Sequence, residues 1–517
     1  MVDPTHGLFK LPSKEERRIA RNGAPLNPIK LAMMLTPLQG LMFFSGWLAW
    51  TVDAWDFFAV SLSVSALATQ FNRHTHDITT AITLTLLFRS VGAAVFGVIS
   101  DRYGRKYPLV INLIIIAALS LGSGFVQTYQ QFLAVRSLFG LGMGGIWGMA
   151  TATALENMPA APRGLFSGIL QQGYAVGYLL AASVNLTWIS RTHNWRILFF
   201  LGSGLSALAA VVRLLLPESE LFLRQKAQRD ASGAIGKSKA KVFITELKEM
   251  LKTHWLRCIY GILLMTGFNF LSHSSQDLYP TILQESKLLT AKQASRATII
   301  SNCGAISGGF VAGYLSQYLG RRLTIILFVI ITGALIPAWI LPHSFSALSA
   351  GAFFLQFGVQ GAWGVVPIYL SEISPPAFRA TYAGLAYQLG NAASSASSQI
   401  EAVGGDNLKE PNPKWHPGSP DTVKEFIPAY ARVSAILLGT VCAYLLIVVT
   451  FGWEFKGAEF EKALPATIPG AGEQDGDQLQ KDARRADHTH AYDEESIEHV
   501  GDRGYARGVS PDDEKKI

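Results

Sequence analysis

Apolar stretches of roughly 20 residues, long enough to cross a ~30 Å hydrocarbon core as helices, recur along the chain between polar turns. Twelve can be counted, at about 39–67, 79–100, 107–127, 132–157, 164–189, 196–216, 257–285, 294–318, 323–342, 345–370, 379–402 and 427–453. They predict an all-α polytopic membrane protein with both termini on one side of the bilayer. One stretch breaks its own pattern with Asn269-Phe-Leu-Ser272-His273-Ser-Ser275-Gln276-Asp277. On a helix, Asn269, Ser272, His273, Gln276 and Asp277 fall at i, i+3, i+4, i+7 and i+8, one face about 12 Å long. Pro280 weakens the helix just beyond them. An ionisable group at mid-membrane costs about 2.5–3.5 kcal/mol on the insertion scale, so such a stripe is expected to face a cavity, a partner or a solute.

The chain also repeats itself. Gly97-Val-Ile-Ser-Asp101-Arg102-Tyr-Gly104-Arg105-Lys106 returns as Gly313-Tyr-Leu-Ser-Gln317-Tyr318-Leu-Gly320-Arg321-Arg322, an offset of 216. Trp147-Gly148 returns as Trp363-Gly364, and Glu156 to Arg163 as Glu372 to Arg379, at the same offset. A constant offset indicates two repeated six-helix bundles, at 39–216 and 257–453. A tail at 1–38, a central loop at 217–256 and a tail at 454–517 complete the chain. The loop and the final tail are rich in charged and small residues and are read as mostly disordered, with a surface helix near 241–253. The proline-bearing stretch 403–426 is read as a long loop on the opposite side.

The offset places Asn269 on Asp53 and Ser272 on Asp56, so repeat-related helices carry polar groups at matching depth. Arg89 lies near the centre of the second stretch, with Gln388 and Asn391 near the centre of the eleventh. An arginine keeps its proton and needs an anion, and its planar fork fits a carboxylate. That anion is either Asp53, Asp56 or Asp277 or, in the favoured reading, a transported solute. Asn269, Ser272, Gln276 and Gln388 are the polar groups available to bind it. His273 and Asp277, one turn apart, form a pair able to exchange a proton, with Asp53 and Asp56 as competing proton sites. No second His or Cys stands at ligand spacing, so neither a metal nor any other cofactor is expected.

Charge changes the picture little. The formal net charge is +7, but the basic residues sit in short connections rather than on one soluble face, which argues against nucleic acid. Arg17, Arg18, Arg21, Arg102, Arg105, Lys106, Arg321 and Arg322 all fall on the cytoplasmic side by the positive-inside rule. The first segment lacks the short apolar core and cleavage site of a secretory signal. Cys258, Cys303 and Cys442 fall in predicted spans and are read as packing residues. Asn185-Leu-Thr187 fits a glycosylation sequon at a helix end and is read as coincidence.

The two repeated halves and the loop motif after the second span, with its degenerate copy after the eighth, resemble the major facilitator superfamily. Arg136 followed by Gly140, Gly142 and Gly144, and Pro217-Glu218-Ser219, are similar to further patterns of that superfamily. The resemblance implies a major facilitator fold of 12 transmembrane helices and a transporter rather than an enzyme. It also makes Gly97, Asp101, Arg102, Gly104 and Arg105 a conformational gate, asymmetric because the second copy carries Gln317 and Tyr318. The run Asn269-x-x-Ser272-His273-x-Ser275-Gln276-Asp277-x-x-x-Thr281 resembles, position by position, the signature of the fungal Jen-type lactate and pyruvate permeases. That resemblance implies proton symport of short-chain monocarboxylates at the plasma membrane. It implicates Asn269, His273 and Asp277, with Arg89 and Gln388 matching in type and location. A dicarboxylate, sialate or sugar transporter, or a non-transporting sensor on the same fold, are the alternatives. Oligomeric state is not legible.

Overall fold

The computed structural model describes residues 27–156, 158–159, 161–220, 222–224, 227, 239–417, 419–420, 425–455 and 470–473. Among these, ten helices are long and apolar enough to cross a membrane. Two more complete the twelve crossings, Arg163–Val184 and the pair Arg379–Ser394 and Ser397–Asn407. Their lower hydropathy comes from buried polar residues such as Gln171, Gln172, Gln388, Asn391 and Glu401.

The first half comprises α1 (Pro37–Phe71), α2 (Thr75–Tyr103), α3 (Lys106–Phe125), α4 (Tyr129–Met143, resuming as Ile146–Leu155), α5 (Arg163–Val184) and α6 (Arg196–Leu215). The second comprises α7 (Trp255–Gln276), α8 (Ala291–Leu319), α9 (Arg321–Ile340), α10 (Phe345–Ile373), α11 (Arg379–Ser394, resuming as Ser397–Asn407) and α12 (Tyr430–Thr450). Local chemistry sets several ends. Thr36 with Gln39, Thr128 with Gln131 and Thr290 with Gln293 form capping boxes that open α1, α4 and α8, and Pro37 occupies the first turn of α1. The repeated loop turns at Gly104 (φ 108°) and Gly320 (φ 95°), where a side chain would be strained.

A surface helix, Lys239–Thr253, lies close to the expected 241–253. The 403–426 stretch is more ordered than expected: α11 runs on to Asn407, and β1 (Lys409–Pro411) pairs antiparallel with β2 (Phe426–Pro428). Asn185 begins a π turn, Asn185–Ile189, at the end of α5. Cys258 is half-buried, Cys442 buried and Cys303 exposed, all with free thiols. The last corrects the reading of all three cysteines as packing residues. The tail at 1–26, most of 221–238 and most of the segment after 455 lie outside the described residues.

The halves meet along α5 with α8 and α2 with α11. At the face where α1 begins and α12 ends, the basic face, a Cβ on Gly168 would stand 2.4 Å from the Gly309 carbonyl oxygen. That approach lets Ser167 Oγ donate to Gly364 O (3.0 Å) and accept from Ile368 N (3.1 Å). At the far face Thr83 Oγ1 donates to Ser395 O (3.0 Å), and Gln399 Nε2 donates to His76 O (2.9 Å) and Thr80 Oγ1 (3.0 Å). The seam is therefore bonded on both sides of its centre.

Candidate functional site

Pro280 shapes the centre of the seam. It lacks the N–H that would bond the Gln276 carbonyl four residues back, so α7 ends at Gln276 and Asp277 caps it. The released carbonyl accepts instead from Tyr178 Oη of α5 at 3.4 Å, across the seam. Asn269, Ser272, His273, Gln276 and Asp277 are all buried, none above 5% exposed.

From His273 a chain of side-chain bonds runs between helices. Gln388 Nε2 donates to Gly144 O of α4 (3.4 Å), and Gln388 Oε1 accepts from Asn391 Nδ2 (2.7 Å). That leaves Asn391 Oδ1 facing His273 Nε2 at 3.1 Å, so Nε2 carries a hydrogen. The other ring nitrogen, Nδ1, lies 2.9 Å from Asp277 Oδ2, which also accepts from Ser398 Oγ at 3.0 Å. Nδ1 therefore faces a carboxylate oxygen at hydrogen-bond distance, a geometry in which the pair can share one proton. The Gly144 carbonyl anchors the amide orientations of this chain.

Arg89 is 1% exposed, and its Nη2 lies 3.4 Å from Asp53 Oδ2. The arginine is therefore paired with one of its three candidate acids, through a single long contact. Asp53 Oδ1 and Arg89 Nε have no partner, which leaves the pair under-satisfied for a buried ion pair. The Arg89 guanidinium stands over the Tyr387 ring at 5.7 Å, and Tyr387 stacks on Trp147 at 4.7 Å. Asn269 Nδ2 donates to the Tyr387 carbonyl at 3.1 Å. Arg89, Asn269 and Gln388 thus converge from α2, α7 and α11.

Two expected members lie elsewhere. Asp56 turns into the first half, accepting from Ser120 Oγ (2.5 Å) and Ser206 Oγ (3.2 Å). Gln276 Nε2 reaches Gln356 Oε1 of α10 at 2.8 Å. Arg321 and Arg322 are buried rather than spread at the membrane surface, because each has an internal partner. Arg321 binds Glu372 through two bonds of 2.9 Å, and Arg322 Nε donates to Val449 O.

The loop motif forms matching clusters in both halves. Glu218 accepts from the backbone N–H groups of Arg105 (3.1 Å) and Lys106 (3.0 Å), and Glu454 from those of Arg321 (2.8 Å) and Arg322 (3.0 Å). Each carboxylate caps a helix N-terminus. Burial pushes the Glu454 carboxyl up from its ordinary range, and the two N–H groups oppose that shift. Arg105 Nη2 lies 3.0 Å from Glu156. Gly97 faces Thr381 across the seam at 3.8 Å from its would-be Cβ. The side chains of Asp101 and Arg102 lie outside the described residues.

Sequence reasoning missed Tyr387, Gln356, Ser398 and Glu401. Gln388, Asn391, Ser398 and Glu401 stand at i, i+3, i+10 and i+13, a helical stripe that the α11 spacing contains. It also missed Arg136 as a second buried cation, lying 4.0 Å from the Phe139 ring centroid with Nε and Nη1 unbonded.

Comparison with known proteins adds to this geometry. The family model of the Major Facilitator Superfamily matches residues 40–398. A carboxylic acid transporter protein homolog of Saccharomyces cerevisiae is 37% identical over 456 residues, covering 86% of this chain and 72% of that protein. A cis,cis-muconate transport protein of Acinetobacter baylyi is 25% identical over 350 residues, covering 68% and 84%. Among solved structures, a proton:xylose symporter bound to 6-bromo-6-deoxy-D-glucose superposes with a TM-score of 0.62 at 19% identity, covering 82% of this chain and 98% of that one. That last likeness is one of fold.

Proposed function

Because this chain belongs to the major facilitator superfamily, we propose that it is a secondary transporter that carries short-chain monocarboxylates such as lactate and pyruvate together with a proton. Transport proceeds by alternating access, the halves rocking about the seam that holds Arg89. The observation that carries the reading is the single 3.4 Å contact between Arg89 and Asp53, which leaves part of the guanidinium unbonded at the meeting point of α2, α7 and α11. A substrate carboxylate takes the place of Asp53 on Arg89, and Asn269 and Gln388 bond its oxygens and any hydroxyl or keto group. Ser272 lies one turn beyond Asn269 on the same face.

His273 and Asp277 supply the proton, which the bond chain to Gly144 holds ready. A singly charged anion entering with one proton moves no net charge, so an inside-negative potential does not oppose it. The carboxylic acid transporter homolog of Saccharomyces cerevisiae supports the substrate class. The two loop clusters, including Gly97, Asp101, Arg102, Gly104 and Arg105, act as the gate on the basic face, which is cytoplasmic in a plasma-membrane protein with both termini inside. A dicarboxylate is the second reading, favoured by Arg136, whose two unbonded nitrogens offer a second cation.

Uptake of labelled lactate, pyruvate and succinate into transporter-deficient cells, with external pH recorded, tests the reading. Lactate or pyruvate uptake with alkalinisation of the medium is expected. Correctly localised protein that takes up no monocarboxylate sinks the first reading, and uptake of succinate alone establishes the second.

A further inference from the structure

Beyond Asp277, toward the far face, the seam ends in a buried acid that the mechanism above leaves idle. Glu401, in the second segment of α11, is 0% exposed, and neither of its carboxylate oxygens has a hydrogen-bond partner. A fully buried carboxylate with no ion-pair partner among the described residues is costly as an anion, which favours its neutral acid. The charged group facing it is Asp277 of α7, and the hydroxyl of Ser434 faces it from α12. Asp277 also has an oxygen to spare, since its Oδ1 is unpartnered. Ser398, one turn before Glu401 on α11, is bonded to the other oxygen of Asp277.

On the opposite side of Glu401 the strip continues to water. Asp406 lies five residues further along the helix, about 7.5 Å at 1.5 Å per residue, and its side chain is 39% exposed. Tyr430 Oη bonds Asp406 Oδ1 at 2.6 Å, and Tyr430 and Ser434 share a face of α12 at i and i+4. His76 of α2 approaches Asp406 at 3.6 Å rather than Glu401.

We propose that Glu401 is a proton relay between the far aqueous face and the His273–Asp277 pair, an inference that rests on the proposed proton symport. The Glu401 acid donates its proton to the Asp277 carboxylate once that pair has released its own. The Glu401 carboxylate left behind is reprotonated from water along the strip past Ser434, Tyr430 and Asp406. No bond other than O–H is made or broken, and charge is balanced at each transfer.

Glu401→Gln keeps the size and removes the transferable proton. In proteoliposomes the variant is expected to exchange labelled against unlabelled lactate at close to the parent rate, while accumulation driven by a pH gradient from the far face falls on the order of tenfold or more. Parent-like accumulation overturns the relay, and so does loss of exchange together with accumulation, which marks Glu401 as structural. A second measurement needs no variant: dicyclohexylcarbodiimide, which modifies protonated carboxyls in apolar surroundings, is applied to the full chain and the adducts are mapped by mass spectrometry. Modification at Glu401 with matching loss of gradient-driven accumulation is expected, and an unmodified Glu401 in inhibited protein overturns the proposal. If the parent protein carries no carboxylate with protons, the symport reading itself fails, an outcome separate from failure of the relay.

Discussion

Arg321 grips Glu372 with two parallel bonds of 2.9 Å, whereas Arg105, its counterpart in the first half, holds Glu156 through one nitrogen at 3.0 Å and leaves Glu156 Oε2 unpartnered. The second pair is also more deeply buried, at 1% and 3% exposure against 9% and 9%. Removing one member of a buried ion pair strands the other and costs about 3–5 kcal/mol. Glu372→Ala is therefore expected to lower the stability of the purified protein by about that amount, and Glu156→Ala by half as much or less. Thermal unfolding in detergent checks the order, and equal losses would deny the asymmetry between the two halves.

The Arg89–Asp53 contact makes a prediction of opposite sign. If Asp53 competes with a substrate carboxylate for the guanidinium, Asp53→Asn frees Arg89 and lowers the concentration for half-maximal binding several-fold, about 1 kcal/mol or less. Arg89→Lys loses the planar fork and weakens binding on the order of tenfold or more. Binding of lactate to purified protein, followed by calorimetry, separates the two. Weakening in both variants would mean that the pair is a fixed support.

Spacing along the chain made the α7 stripe legible, because helical periodicity fixes which side chains share a face. It also made the consequence of Pro280 legible, since proline acts on its own helix. Partner choice was not legible. Asp53 and Asp56 were equivalent by depth, and only the positions of Ser120 on α3 and Ser206 on α6 draw Asp56 away from the seam. Glu401 escaped notice for a different reason. The apolar run of α11 ends near residue 402, which put Glu401 at the membrane surface, but the helix continues to Asn407 and packs against α12, burying the acid. Likewise, the basic pair Arg321 and Arg322 resembled a surface anchor because the sequence does not reveal that Glu372 and Glu454 fold over it.

The His273–Asp277 pair is held at both ends, by Asn391 on the ring and Ser398 on the carboxylate. Asp277→Asn removes the acid while keeping its shape. It is expected to retain lactate exchange and to lose accumulation driven by a pH gradient, with uptake rates that no longer rise as external pH falls. Asn391→Leu breaks the anchor on Nε2 and is expected to shift that pH profile rather than abolish it. Flux in proteoliposomes across a series of imposed gradients reads both, and an Asp277→Asn protein that accumulates lactate like the parent would assign the proton to another group.

The basic-face seam depends on the absence of side chains at Gly168 and Gly309. A Cβ at Gly168 would meet the Gly309 carbonyl oxygen at 2.4 Å and the Gly313 Cα at 3.1 Å, backbone atoms that cannot rotate aside. Gly168→Ala must therefore part α5 from α8 at that face, at an overpacking cost of about 1–3 kcal/mol in the closed arrangement. The same cost is absent once the halves separate there, so the equilibrium shifts toward the open state by on the order of tenfold. A cysteine placed at Met149, which lines the space between α2, α4 and α11 with Gly97 and Gly384, reports the opening. With Cys258, Cys303 and Cys442 replaced by serine, its labelling by a water-soluble maleimide is expected to speed up by a similar factor in the Gly168→Ala background. An unchanged labelling rate would place the moving contact elsewhere along the seam.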